Sequence, residues 1–220
     1  MTLRKAPFNA RVMSIIGSLD SAENERMVTH VGISIISADY EYGGSAQVWH
    51  CQPPVSYSEC VAHVNGFVEN LTQEEVNRLK TVVNRLKVTM QAIDPGRGGM
   101  NHYSIIPANS VTVDHVSGRV RSRKFSCAGY VSHVYSKIDI QLAPPETDLP
   151  EISFDELCSH YPDLAGLRLS AKRWGLKGGG PWKVLLAGYL INSLARTDAL
   201  IRSGPPLITS TVFAEYAAVE

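Results

Sequence analysis

The sequence RKFSCAGYVSHVY, Arg123–Tyr135, contains a single cysteine directly before a helical pattern. Val131, Val134 and Tyr135 follow at helical spacing, so the pattern predicts a helix that begins at about Cys127 and buries one face. A cysteine at a helix start has two interpretations. It is a small buried packing residue, or it is a nucleophile whose pKa is lowered by the unpaired amides of the first turn. The choice depends on whether the chain brings a base close to it.

Composition and charge limit the classes of protein to consider. The chain has 220 residues, of which 44% are hydrophobic, and this is enough for one domain over 1–220. Lysine and arginine number 21, aspartate and glutamate number 21, and the formal net charge is zero. A neutral chain without a stacking-aromatic pattern is a poor nucleic-acid binder, so we expect no nucleic-acid partner. The most basic run, RVRSRK at 119–124, is typical of a solvated face.

Neither the cysteines nor the apolar runs suggest export or a metal site. The four cysteines, Cys51, Cys60, Cys127 and Cys158, form no C-x-x-C pair, so the usual zinc spacing is missing. The first residues lack the apolar core of a signal peptide, and no apolar run approaches the roughly 18 residues of a membrane span. We therefore expect a cytoplasmic chain with reduced thiols and no membrane span.

Two predicted strands bring a pair of histidines together. HVGISIIS begins at His30 and AQVWHC contains His50, and both runs are rich in strand-forming residues. Between them, EYGGS predicts a turn at Gly43 and Gly44. Antiparallel pairing of the two strands would place His30 beside His50.

The remaining pattern is mainly helical. Thr72 and Glu75 form a predicted capping box for a helix from about Gln73 to Met90. A short helix is expected near 154–160, and one further helix between the glycine run at 178–180 and residue 204. The final residues, from about 205, fit a strand or a helix equally well.

The residues at His30 and Cys127 resemble two motifs of one superfamily. HVGISI is similar to the histidine strand of the NlpC-type papain-like cysteine hydrolases, and FSCAGYVSHVYSKIDIQL is similar to their cysteine helix. In ordinary members the cysteine precedes the histidine. Here the histidine comes first, by 97 positions, an order that resembles the circularly permuted branch of YiiX-like proteins and lecithin:retinol acyltransferase relatives. Ser126 and Ala128 depart from the aspartate and serine that many relatives carry there.

The resemblance implies an α+β, papain-like (permuted NlpC-like) fold with a central antiparallel sheet packed against the nucleophile helix. It implies Cys127 as nucleophile, His30 as general base and acid, and His50 as the residue that orients His30. Glu59 or Asp39 would take the place of His50 if the strand register differs. The segment from about 148 to 220 has no counterpart and is expected to form a family-specific cap.

The same resemblance predicts a cysteine-dependent peptidase or amidase that needs no metal or organic cofactor and acts on a peptide, isopeptide or acyl-amide substrate. Acyl transfer on lipid or thioester substrates is the first alternative. A non-catalytic binding module, in which Cys127 is only a packing residue, is the other. The oligomeric state stays open.

Overall fold

The computed structural model describes residues 3–5, 8–19, 27–51, 55–93, 103–161, 175–176 and 178–209. Within these ranges the strands are β1 (Leu3–Lys5), β2 (Phe8–Ala10), β3 (Ser14–Leu19), β4 (Val28–Ser34), β5 (Ala38–Tyr40), β6 (Gly44–Cys51), β7 (Val55–Ala62), β8 (Val64–Gly66), β9 (Asn109–Val113), β10 (Val120–Phe125), β11 (Glu151–Ile152) and β12 (Trp182–Lys183). The helices are α1 (Gln73–Ile93), α2 (Cys127–Tyr135), α3 (Phe154–His160), α4 (Ala187–Ser193) and α5 (Asp198–Ser203).

The main sheet is antiparallel and curls back on itself. Its strand order is β1-β8-β3-β4-β6-β7. Strands β7 and β8 are successive parts of one stretch, interrupted at His63, whose backbone N–H donates to the Gly17 carbonyl at 3.1 Å. The first part pairs with β6 and the second part pairs with β3. The same stretch therefore connects both ends of the β3-β4-β6 group.

The two faces of this sheet are packed differently, because successive strand residues point to opposite sides. Ile16, Ala46 and Val48 lie in a small apolar cluster on the inner face, which β2 and β5 complete with Phe8 and Tyr40. The outer face belongs to the large core, which α2 and α4 cover. The structure is therefore mixed α+β with a central antiparallel sheet packed against the helix that carries Cys127.

Helix α1 begins as predicted and runs slightly further. The Thr72 hydroxyl accepts from the Glu75 N–H at 3.2 Å, and the Glu75 carboxylate accepts from the Thr72 N–H at 2.7 Å, which completes the capping box. The helix continues to Ile93, three residues past the predicted Met90. Its buried face packs toward α2 and β7.

The C-terminal part of the described chain differs from the prediction of a single helix there. It contains two short helices, α4 and α5, separated by a turn at 194–196. The reason is local: Thr197 caps a new helix by accepting the Leu200 N–H on its hydroxyl at 3.4 Å. The short helix predicted near 154–160 is present as α3, with a capping box between Ser153 and Glu156. Residues 210–220, whose conformation the sequence left undecided, lie outside the described residues.

Strands β9 and β10 form a hairpin that leads directly into α2. At its base, the Ser126 N–H donates to the Ala108 carbonyl at 2.9 Å. At its tip, Asp114 accepts from the backbone of Val116 and Ser117, and the side chain of Val116 is 99% exposed. The basic run 119–124 lies mostly in β10, where its residues are exposed or half-buried, as the sequence predicts.

Helix α2 is embedded in the core from its first residue. Ser126 caps it by accepting the Gly129 N–H on its hydroxyl at 2.9 Å. Seven of its nine residues are buried. Gly129 lies so close to the hairpin base that a Cβ there would be 1.8 Å from the Ala108 carbonyl oxygen. The small residues after Cys127 therefore let the hairpin backbone approach the helix.

We predict that Gly129→Ala destabilises the protein by about 2 kcal/mol, because the added methyl group meets backbone that cannot rotate away. This loss should exceed the gain in helix propensity of alanine over glycine. Urea unfolding at pH 7.5 measures it. Gly179→Ala is the matched control, since a Cβ at Gly179 would meet nothing within 4 Å. Equal stability of both variants would contradict the close approach of the hairpin to α2.

Candidate active site

His30 and His50 are in direct contact across β4 and β6. His30 lies near the start of β4 and His50 near the end of β6, and the two strands pair antiparallel with Ile33 opposite Trp49. His30 Nε2 lies 2.6 Å from His50 Nδ1, with the rings inclined at 77°. The sequence pattern predicted the same contact, but from a hairpin in which one strand leads directly into the other. In the structure, β5 intervenes between the two strands and pairs with β2.

A glycine lets the two strands approach at this point. A Cβ at Gly32 would lie 2.5 Å from a methyl group of Val48 and 3.1 Å from the Cβ of His50. Gly32, Val48 and His50 therefore occupy the same side of the sheet. Any larger residue at 32 would push β6, and His50 with it, away from β4.

Cys127 lies beside the strand that carries His30. Its Sγ receives a backbone hydrogen bond from Val31, the residue that follows His30. It also lies close enough to Cys51, the residue that follows His50, for its charge to raise the pKa of that thiol. The structure thus brings the start of α2 to the same end of β4 and β6 at which the two histidines meet, but against the opposite face of the sheet. Val31, Cys51 and Cys127 belong to the large core. His50 shares the inner face with Val48.

Burial dominates the electrostatics of Cys127. The residue is 2% exposed, and burial raises the pKa of its thiol to about 11. The backbone N–H groups of Val31, Ala128 and Cys127 itself lower that pKa, but burial outweighs them. A position at a helix start by itself favours a lowered pKa. The direction is opposite because α2 is covered on nearly all sides, and the thiol is therefore protonated at pH 7.

Both histidines are neutral at pH 7. Burial, and after it the neighbouring His50, lower the pKa of His30 to about 3. Burial lowers the pKa of His50 to about 4. Each neutral imidazole has one N–H and one bare nitrogen. The 2.6 Å contact therefore holds a single proton between the two rings.

The alternatives to His50 lie elsewhere. Asp39 is exposed and accepts a hydrogen bond from the Asn9 amide at 2.8 Å. Glu59 is exposed and accepts from the Gln47 amide at 3.3 Å. In this register the ring nitrogen of His30 is in contact with His50 and with neither carboxylate.

A serine that sequence reasoning missed contacts the far side of His50. His50 Nε2 lies 2.5 Å from the Ser58 hydroxyl, and Ser56 Oγ lies 3.4 Å beyond it. Ser58 is opposite Val48 in the β6–β7 pairing, and Ser56 is opposite His50. The alternation of side chains along β7 puts residues 56, 58 and 60 on one face, and the sequence shows this much. The contact with His50 also depends on the register of β7 with β6, which the sequence does not show.

Two tyrosines near Cys127 were also missed. Burial and the charge of Cys127 raise the pKa of both Tyr103 and Tyr161, so their hydroxyls keep their protons and can donate. The Tyr161 hydroxyl also accepts a backbone hydrogen bond from Ala187, at the start of α4. These residues follow no recognisable motif, and they come from two distant parts of the chain.

Three of the four other described histidines make their contacts elsewhere. His133, on α2, contacts Asn109 and Arg123 of the hairpin. His63 accepts the Leu19 N–H at 3.0 Å on the far part of β3. His115 is exposed in the hairpin turn. His102 lies outside the described residues.

Comparison of the chain with models of protein families, with curated proteins and with solved structures finds no match. The similarity to permuted NlpC-type hydrolases therefore rests on the two sequence motifs. Among the residues that the structure describes, no three or more histidine, cysteine, aspartate or glutamate side chains are grouped to hold a metal ion. The described helices include none with the length and apolar character that crossing a membrane requires.

We predict that the free energy of unfolding decreases as pH falls below about 6.5. The unfolded chain binds a proton at each histidine with a pKa near 6.5, whereas His30 and His50 in the folded protein resist protonation until about pH 3 and 4. Below 6.5 the unfolded state therefore binds more protons, and each of the two histidines contributes a loss of roughly 1–2 kcal/mol between pH 7 and pH 5. Urea titrations at the two pH values measure this loss.

His50→Gln should show a smaller loss between the same two pH values, because one of the resisting imidazoles is gone. His115→Gln is the control, since His115 is exposed in the hairpin turn. A pH dependence in His50→Gln as steep as in the wild type would show that the buried pair does not set the acid sensitivity.

Proposed function

We propose that this chain is a cysteine-dependent hydrolase of the permuted NlpC-like, papain-like type. In this proposal Cys127 attacks an acyl carbonyl, His30 is the general base and acid, and His50 orients His30. The observation that carries the proposal is the 2.6 Å contact between His30 and His50 beside the backbone that bonds to Cys127 Sγ. Acyl transfer through an enzyme thiol requires a nucleophile, a base and an orienting group. The contact between the two histidines supplies the base and the group that orients it, and the proposal requires His30 to reach Cys127 from the other face of the sheet.

The first half of the reaction forms an acyl-enzyme. His30 Nδ1, the ring nitrogen not in contact with His50, takes the thiol proton as the sulfur of Cys127 bonds to the carbonyl carbon. The carbonyl oxygen becomes an oxyanion, for which the Cys127 N–H is a donor at the helix start. The intermediate then collapses, the bond to the leaving amine or alkoxide breaks, and His30 gives its proton to that leaving group.

Water completes the second half. His30 removes a proton from a water molecule, the oxygen attacks the thioester carbon, and the thiolate departs and regains the proton from His30. The net reaction is hydrolysis of an amide or related acyl bond into an acid and an amine or alcohol. Peptides, isopeptides and acyl-amides are the substrate class that this chemistry suits.

The neutral resting state determines how the thiol is activated. With a protonated thiol and a neutral imidazole at pH 7, the proton moves as the carbon–sulfur bond forms, and no stable thiolate–imidazolium pair precedes the substrate. We therefore expect slow, pH-dependent alkylation of the free protein by iodoacetamide. The test of function must use a reagent with a carbonyl carbon.

The surroundings of Cys127 favour one second candidate, acyl transfer to a lipid or thioester acceptor. Cys127 belongs to the large apolar core and is almost completely covered. A site that excludes water slows hydrolysis of the thioester and gives a bound acceptor time to react. The first half of the reaction is the same for both candidates.

We predict that 4-nitrophenyl acetate acylates Cys127, with release of 4-nitrophenol and an acetyl group located by mass spectrometry. Because His30 supplies the base, His30→Gln should slow acylation at pH 7 about 100-fold, and Cys127→Ala should abolish it. Cys60→Ala is the control, since Cys60 is half-buried and lies on the other side of the sheet.

Acetylation of other cysteines at a rate that does not depend on His30 would contradict the proposal. In that case Cys127 is a packing residue and the chain is a binding module. If the acetyl-enzyme forms but persists until an added amine or thiol removes it, the second half of the reaction is transfer and not hydrolysis.

A further inference from the structure

We propose that Ser58 is a positioning residue, whose hydroxyl accepts the Nε2–H of His50 and so fixes the tautomer in which His50 Nδ1 is free to accept from His30. Its effect on catalysis rests on the proposed function. The two hydrogen-bond contacts of the His50 ring do not, so its tautomer can be measured independently of any activity.

The two ring nitrogens of His50 are both in use. Nδ1 lies 2.6 Å from His30 Nε2, and Nε2 lies 2.5 Å from Ser58 Oγ. A neutral imidazole carries its proton on one nitrogen only, and the partner of the other nitrogen decides which one it is. The direction of the hydrogen bond between Ser58 and Nε2 therefore determines whether Nδ1 donates to His30 or accepts from it.

Only one direction of donation leaves His30 able to act as a base. His30 must keep Nδ1 bare to take the thiol proton, so its own proton lies on Nε2 and is donated to His50 Nδ1. His50 then carries its proton on Nε2 and donates it to Ser58. In the reverse direction the Ser58 O–H donates to Nε2, His50 donates from Nδ1, and His30 is left with a proton on Nδ1 where the thiol needs an acceptor.

The strand geometry supplies the acceptor that the useful direction needs. Ser58 is half-buried on β7, and its hydroxyl has Ser56 Oγ at 3.4 Å and partial solvent access as sites for its own proton. Its oxygen lone pairs are then left for His50. His50 itself is fully buried, with a side chain that no water reaches directly.

Removing this hydroxyl should shift the tautomer. In Ser58→Ala, a proton on His50 Nε2 would be a buried N–H without a partner, whereas a bare Nε2 is better tolerated. The proton therefore moves to Nδ1, and the His30–His50 contact reverses. Ser58→Thr keeps a hydroxyl at the same position and suits a strand, so it should keep the original tautomer.

The experiment is a long-range ¹H–¹⁵N correlation spectrum of the histidine rings at pH 7.5, which distinguishes a protonated ring nitrogen from a bare one. We expect His50 to be protonated at Nε2 in the wild type, in Ser58→Thr and in Ser56→Ala, and at Nδ1 in Ser58→Ala. Ser56→Ala is the matched control, because Ser56 makes no hydrogen bond to the His50 ring and the half-buried Ser58 hydroxyl keeps solvent as a site for its own proton. A wild-type proton on Nδ1, or an Nε2 proton that persists in Ser58→Ala, would overturn the proposal.

Acylation of Cys127 by 4-nitrophenyl acetate provides the second readout. We expect the acylation rate at pH 7 to fall about tenfold in Ser58→Ala, which corresponds to the free energy of roughly one hydrogen bond. The rate should return to the wild-type value in Ser58→Thr. The two readouts separate the two hypotheses. If the tautomer shifts in Ser58→Ala but acylation does not depend on His30, Ser58 positions His50 and the proposed function fails. If acylation depends on His30 but the tautomer does not shift, the proposed function stands and the proposed role of Ser58 fails.

Discussion

The site depends on one contact, the shared proton between His30 and His50, and much of the sheet serves to make that contact close. Gly32 removes the side chain that would separate β4 from β6. The inner apolar cluster includes Val48, which lies on the same face of β6 as His50, and this packing holds β6 in place. A polar pair at this depth is stable only because each ring nitrogen in the contact has a partner.

The packing on the outer face of the sheet controls the thiol of Cys127. Helix α2 lies against the outer side of β4 and β6, and its first turn is covered by the hairpin base on one side and by the chain near Tyr161 and α4 on another. Amide donors of the helix start favour a thiolate, while the loss of water disfavours it, and the loss of water has the larger effect here. Position at a helix N-terminus therefore does not by itself make a reactive cysteine.

What the sequence predicted well was local. The capping box at Thr72, the start of α2 at Cys127 and the short helix at 154–160 each depend on residues three or four positions apart, and the sequence contains all of that information. The neighbourhood of His30 and His50 also followed, because antiparallel strands joined by a short stretch have few other ways to pair. The presence of β5 between the two strands did not change the contact between His30 and His50.

What the sequence could not predict depends on distant parts of the chain. The place of Ser58 needs the full register of β6 with β7, and the curl of the sheet needs β8 to leave β6 for β3 at His63. The raised pKa of Cys127 depends on how completely helices far along the chain cover it. The division of the last predicted helix into α4 and α5 has a local cause, because the cap at Thr197 begins a new helix within a run that otherwise predicts one continuous helix.

The hairpin of β9 and β10 is anchored in a way that separates its two ends. At the base, one carbonyl group, that of Ala108, both accepts the Ser126 N–H and leaves no room for a side chain at Gly129. At the tip, Val116 and its neighbours make no comparable contact with the core. Substitutions and insertions at the tip should therefore be tolerated without moving Cys127. A single added methyl group at the base should displace it. The sequence of this hairpin is constrained at its base and free to vary at its tip.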